Sequence, residues 1–137
     1  RWAPRLKRLD ILSSGPDELL LYEQIDAPVV RDRDYVVRLR VTARGDGPGG
    51  SFRIDASGAS DPSRPVDPSH IRMTDLWSRF SFVPRPGGGC ELTYDAFGDP
   101  AGALPGWLKR SAGVRGPVDF VQALVTEARR RRDKKPL

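Results

Sequence analysis

The chain has 137 residues, a formal net charge of +5, 38% hydrophobic residues and 30% charged residues. This length suits a single domain, and this composition is typical of a soluble, folded protein. The sequence contains no stretch of 18 apolar residues, so no transmembrane helix is predicted, and Cys90 is the single cysteine, which excludes an intrachain disulfide.

The positive charge is concentrated at the C-terminus. Residues 129–135 (RRRRDKK) carry six basic and one acidic side chain, and this net +5 equals the excess of the whole chain. We interpret 129–137 as a basic tail, a solvated helix end that the helix dipole favours. The alternative is a tail that touches anionic lipid headgroups during transient contact with a membrane surface. The rest of the chain is neutral, so no nucleic-acid partner is predicted.

Residues 1–98 alternate between strand patterns and turns rich in glycine and proline. We predict strands over 5–12, 18–25, 33–43, 51–57, 71–83 and 90–97. The strand from Arg33 has the clearest pattern, because Tyr35, Val37 and Leu39 share one face and mostly polar residues lie between them. The segment 71–83 changes parity in its middle, which predicts a β-bulge.

The period changes after residue 100. Apolar residues then repeat at helical spacing, at Val114, Val118, Val121, Leu124, Val125 and Ala128. Because Pro117 falls inside this segment, we predict a short helical turn over 105–112 and a main helix from Pro117 to Arg132.

Strands followed by one helix predict the α+β class, here a curved antiparallel sheet of about six strands packed on a long C-terminal helix. A single helix cannot cover such a sheet completely. The uncovered face must be filled by side chains or by something else, which predicts an apolar cavity between sheet and helix.

Three stretches carry a family resemblance. Residues 30–36 (VRDRDYV) are similar to a v-x-x-R-D-[FY]-v entry into a central strand. Residues 82–84 (FVP), followed by 88–94 (GGCELTY), resemble a strand end, a glycine turn and the next strand. Residues 99–108 (DPAGALPGWL) resemble the passage into a closing helix. In this order and spacing, they resemble the START (steroidogenic acute regulatory protein-related lipid transfer) family, in a bacterial form.

This resemblance implies the helix-grip fold, the binding of one hydrophobic ligand such as a lipid or sterol, and no cofactor. It implies that the loop 26–32 and the C-terminal helix gate the cavity. A complete START domain has further N-terminal elements, and this chain begins at Arg1 rather than at a methionine. We therefore expect 1–137 to be one N-terminally incomplete domain, whose sheet a missing segment or a second chain completes.

Members of the family often pair an acidic residue with an arginine inside the cavity. Glu23 occupies the acidic position, but Leu39 stands where the arginine usually lies, so Arg33 on the same face is predicted to substitute. The alternative for this pair is a surface salt bridge of little energetic value. The other predicted ligand-binding residues, for each of which plain core packing is the alternative, are Tyr35, Val37, Leu39, Phe52, Ile54, Leu76, Phe80, Tyr94, Trp107 and Val121.

Catalysis and metal binding find little support in the sequence. His70 is the single histidine and lies beside a proline-rich loop, and no His/Cys cluster has metal-ligand spacing. No catalytic residue and no metal are predicted. Three functions stay open: a carrier or sensor of a hydrophobic small molecule, a polyketide cyclase- or aromatase-like enzyme on the same fold, and an interaction module with a filled core. The compartment is not predicted.

Overall fold

The computed structural model describes residues 2–45 and 50–134, so part of the predicted turn at 45–50 and the last three residues of the basic tail lie outside the described residues. In chain order the described elements are β1 (Leu6–Ser14), β2 (Glu18–Ile25), β3 (Arg33–Arg44), β4 (Phe52–Ala59), β5 (Ile71–Arg72), β6 (Leu76–Pro84), β7 (Cys90–Gly98) and α1 (Gly106–Lys134). The fold is the predicted curved antiparallel sheet with a C-terminal helix, the helix-grip arrangement of the α+β class.

The sheet follows the order β1-β2-β3-β4-β6-β7, with β5 beside β3. The expected bulge in 71–83 is wrong. Residues Ile71 and Arg72 form a separate strand that pairs in parallel with Arg33 and Asp34. The chain then crosses to β4, where β6 pairs antiparallel. The change of parity in the sequence therefore marks a change of partner strand.

The two surfaces of the sheet differ in what covers them. One surface, here called the helix face, carries Glu23 opposite Tyr35 and Phe80 opposite Tyr94. The ring of Phe120 on α1 lies 5.5 Å from that of Tyr94, which places the helix over this face. The opposite surface, here called the outer face, carries the alternate residues, because successive side chains of a strand point to opposite sides.

Each face has its own small core. On the helix face, Leu21, Val37 and Ala56 are buried, with Tyr35, Leu39 and Leu76 packed against them. On the outer face, Leu20, Tyr22 and Val36 are buried, with Leu12 and Ala59 against them. Alternating residues of β2 and β3 thus build two separate cores, as the period of two requires.

The helix is one continuous element from Gly106 to Lys134, and the predicted division into a short turn and a main helix is wrong. Pro117 lies inside it, where a proline removes one backbone hydrogen bond without ending this helix. The half-buried side is centred on Phe120, Val121 and Leu124. Of the predicted stripe, Val121, Leu124 and Val125 are half-buried, whereas Val114, Val118 and Ala128 are exposed.

The two edge strands of the sheet are built differently. β1 is paired irregularly with β2, with two register shifts along its length, and it carries Lys7 and Arg8. Bulges and basic side chains are devices that keep an edge from pairing with another strand. β7 has an uninterrupted register with β6 over nine residue pairs. The β7 edge is therefore the more regular of the two.

Candidate ligand-binding face

The polar centre of the helix face is a carboxylate held by a tyrosine. Glu23 and Tyr35 are register partners on β2 and β3, and the Tyr35 hydroxyl donates a hydrogen bond of 2.5 Å to Glu23 Oε2. Burial raises the pKa of Glu23, and the Tyr35 hydrogen bond opposes that rise. Burial and the neighbouring carboxylate raise the pKa of Tyr35 far above its ordinary value, so Tyr35 acts as a hydrogen-bond donor at neutral pH.

Tyr94 approaches this pair from the far edge of the sheet. Burial raises the pKa of Tyr94, and the charge of Glu23 adds to that rise. The Ser78 hydroxyl hydrogen-bonds Tyr94, and the ring of Phe80 lies 4.7 Å from that of Tyr94. Tyr94 on β7 is therefore close enough to β2 to interact electrostatically with Glu23.

The predicted pair of Glu23 and Arg33 does not form, and this expectation is corrected. Arg33 is buried, with 2% of its surface exposed, but its guanidinium donates to carbonyl oxygens. Nε and Nη2 reach Pro100 O and Ala101 O, each at 3.0 Å, and Nη1 reaches Arg31 O. Its register partner is Ile25 and not Glu23. Arg33 fixes the chain that leads from β7 into α1.

The segment between β7 and α1 that Arg33 fixes, here called the clamped chain, depends on glycine for its shape. Ala101 and Gly102 both have a positive φ, at 54° and 68°. A Cβ at Gly102 would lie 2.9 Å from Ile71 Cδ1, so a side chain there meets both backbone strain and a clash. This passage into the helix therefore has a fixed geometry.

Arg33 and Asp34 are adjacent on β3, and their side chains point to opposite faces of the sheet. Asp34 points to the outer face, is 1% exposed, and accepts hydrogen bonds from Tyr22 at 2.8 Å and from Arg72 Nε at 2.8 Å. Arg72 also donates to the carbonyls of Arg64 and Pro65. Burial would raise the pKa of Asp34, but hydrogen bonds from Arg72 and Tyr22 bring it below its ordinary value. This cluster holds the 60–70 loop.

The remaining predicted residues divide by environment. Val37 is buried, and most of the others are half-buried on the helix face or, for Val121, on α1: Tyr35, Leu39, Phe52, Ile54, Leu76, Phe80, Tyr94 and Val121. Phe52 stacks on Phe82 with ring centroids 4.7 Å apart. Trp107, in the first turn of α1, is 59% exposed. Whether any of these residues contacts a ligand stays a prediction.

Sequence reasoning missed Phe120, which is the residue that joins the helix to the sheet. Its ring contacts those of Phe80 and Tyr94 and also lies 5.8 Å from that of Trp2, ahead of β1. The signal was present, because Phe120 and Leu124 are four residues apart and share a helix side. Aromatic contacts from both ends of the chain thus meet at one position of α1.

Much apolar surface on the helix face stays uncovered. Leu9 and Ile11 are register partners of Glu23 and Leu21 and are 45% and 64% exposed.

A pocket of about 430 Å³ lies on the outer face, between Tyr22 and the 63–68 loop. Its arginines, Arg8 and Arg64, are both paired with Asp10.

Within residues 2–45 and 50–134, no three His, Cys, Asp or Glu side chains converge as a metal site requires. No helix in the same part of the chain is both long and apolar enough to cross a membrane.

A model of the START domain matches residues 1–134. The chain is 26% identical to an uncharacterised protein of Pseudomonas aeruginosa over 133 residues, which are 96% of this chain and 63% of that relative. A STAR-related lipid transfer protein fragment from Xanthomonas axonopodis has a similar structure, with a TM-score of 0.78, 22% identity, and coverage of 93% of this chain and 70% of that one. Human StAR-related lipid transfer protein 5 also has a similar structure, with a TM-score of 0.73, 20% identity, and coverage of 90% of this chain and 60% of that one. The chain thus spans less than two thirds of the curated relative it matches.

Proposed function

This chain belongs to the START domain family, and from that premise we propose that it binds one hydrophobic ligand, lipid- or sterol-like, between the helix face and α1. Membership of the family supports hydrophobic ligand binding in general. The space beneath the helix and the act of transfer or sensing are the proposed parts.

The observation that carries the proposal is apolar surface left open on the helix face. Leu9, Ile11 and Leu19 point to this face and are exposed, and the backbone of α1 approaches β7 but no other described strand. Exposed apolar side chains beside a partial cover favour an apolar occupant, because burial stabilises by roughly 25 cal/mol per Å². Pockets for such molecules are mostly apolar with a few polar groups, as this face is.

We further propose that the loop 26–32 and the start of α1 form the gate and touch a membrane surface during exchange. Val29 at the loop tip is 86% exposed and has a φ of 63°, an unusual conformation for a β-branched residue. Lys7 holds this loop by a 2.6 Å ion pair with Asp32. Trp107 is also exposed, and tryptophan is favoured at membrane interfaces.

The β7 edge is the proposed place where a further strand completes the sheet. Its regular register and its exposed Phe97 suit strand addition. The irregular β1 edge suits it less. The strand would come from a preceding segment of a longer protein or from a second chain.

Native mass spectrometry after incubation with vesicles of bacterial lipid extract tests the proposal. We expect one bound lipid per chain. Ala96→Phe places a bulky ring on the helix face of β7 and should reduce lipid occupancy at least fivefold. Thr93→Phe adds a ring on the outer face of the same strand and should leave occupancy unchanged.

An absence of bound lipid in the unmodified chain would contradict the proposal, and so would equal occupancy in both variants. Turnover of a polyketide substrate that Ala96→Phe abolishes would instead favour the cyclase-like alternative.

A further inference from the structure

The most unusual group on the helix face is the carboxylate of Glu23, because its one side-chain partner among the described residues is the neutral Tyr35. Burial has the largest effect on the pKa of Glu23 and raises it, whereas the Tyr35 hydrogen bond lowers it. No charged side chain of the described residues contributes. The partner that the sequence suggested, Arg33, is occupied by three carbonyl oxygens. By contrast, the buried carboxylate of Asp34, on β3, is paired with Arg72.

The Tyr35 contact does not compensate a charge on Glu23. Tyr35 Oη lies 2.5 Å from Glu23 Oε2, a length within the range of O–H···O⁻ hydrogen bonds. Tyr35 contributes a donor but no charge. When Glu23 is ionised, the site therefore holds a negative charge for which residues 2–45 and 50–134 provide no counter-ion.

The surroundings suit a cation. Tyr35 hydrogen-bonds this carboxylate, Tyr94 lies near enough for the charge of Glu23 to raise its pKa, and the ring of Phe80 contacts that of Tyr94 at 4.7 Å. A cation over such rings gains roughly 0.5–2 kcal/mol, depending on how far it is desolvated. Carboxylate and rings thus favour the same kind of group.

We propose that Glu23 receives the protonated amine of a ligand whose body is otherwise apolar, and that Tyr35 holds the carboxylate in place for it. The inference rests on the proposed function, since it assigns the head of the ligand whose body lies on the helix face. A hydroxyl head would satisfy a hydrogen bond but leave the charge uncompensated. A carboxylate head would add a like charge at close range.

Three probes with the same apolar chain separate these heads: dodecylamine, dodecanol and dodecanoic acid, titrated calorimetrically at pH 7, each below the concentration at which it aggregates or separates from water. Because hydrogen bonds between charged groups are stronger than neutral ones, we expect the amine to bind about tenfold more tightly than the alcohol, and the acid most weakly. Glu23→Gln should remove the amine preference, so that amine and alcohol bind with equal affinity, and a cooperative thermal unfolding transition should show that the variant is folded.

Glu91→Gln is the matched control, because it removes one negative charge from an exposed pair with Arg85; it should keep the amine preference. Equal affinity for amine and alcohol, tightest binding of the acid, or an amine preference that survives Glu23→Gln would each overturn the inference and leave the proposed function standing. Binding of none of the three probes would overturn both.

Discussion

The helix face and the outer face are made by the same strands, yet the carboxylate on each has opposite surroundings. Asp34 on the outer face is enclosed by Arg72 and Tyr22, and its pKa is lowered. Glu23 on the helix face has one neutral donor, and its pKa is raised. A satisfied charge network fixes structure, whereas an incompletely satisfied one leaves capacity for a ligand. Under the proposed function, the outer face supports the fold and the helix face holds the ligand.

The largest expected effect comes from breaking the outer-face network. Asp34→Asn leaves the guanidinium of Arg72 largely buried without its carboxylate, and removing one partner of such a pair costs about 3–5 kcal/mol. Urea unfolding measures this loss. Adding Arg72→Met should recover part of it, because the uncompensated charge is then removed. A loss below about 1 kcal/mol would place Asp34 outside the stabilising network.

Arg33→Met should lower the free energy of unfolding by a smaller amount, about 2 kcal/mol, because three carbonyl oxygens lose a charged donor. The effect should be local. Asp99 N donates to Asp75 O at 2.8 Å beside the clamped chain, and hydrogen exchange at Asp99 should accelerate. Unchanged exchange at Asp99 together with lost ligand binding would restore Arg33 as a ligand residue.

Glu23→Gln should change the stability by about 1 kcal/mol or less, with a characteristic pH dependence. Because the pKa of Glu23 is raised in the folded chain, its contribution to stability falls as pH rises above 4.5, its ordinary value. The stability of Glu23→Gln relative to the unmodified chain should therefore increase as pH rises from 4.5 to 7. For Asp34, whose pKa is lowered, stability is instead lost as pH falls below 3.8. Thermal unfolding measured from about pH 2 to pH 7 tests both signs, because it spans the ordinary pKa values of both groups. A Glu23→Gln variant that becomes less stable than the unmodified chain toward pH 7 would contradict the first.

The smallest effect is expected at the exposed pair of Arg85 and Glu91. Their side chains are 61% and 59% exposed, and such pairs contribute about 0–1 kcal/mol. Glu91→Gln should shift the free energy of unfolding by less than about 0.5 kcal/mol. A larger shift would contradict the expectation that this exposed ion pair contributes little to the stability of the chain.

The sequence predicted the elements that depend on local pattern. Period two located β2 and β3 closely, and the apolar stripe located the helix although only part of the stripe is half-buried. It could not predict that 71–83 changes partner strand, because pairing is set by the path of the chain across the sheet. It assigned Arg33 to Glu23 because both share a face, whereas the guanidinium is taken by carbonyls that lie 67 and 68 residues further along. Such long-range contacts leave no periodic signal.

The central claim is that a hydrophobic ligand lies against one face of the sheet and not the other. Val36 and Val37 are adjacent and buried, but their methyl groups point to the outer face and the helix face. Intermolecular NOEs, which require protons within about 5 Å and so report direct side-chain contact, should join the alkyl probe that binds most tightly to the methyl groups of Val37 and Leu21 and not to those of Val36 and Leu20. NOEs of equal strength to the two sets, or NOEs to Val36 and Leu20 alone, would contradict the account.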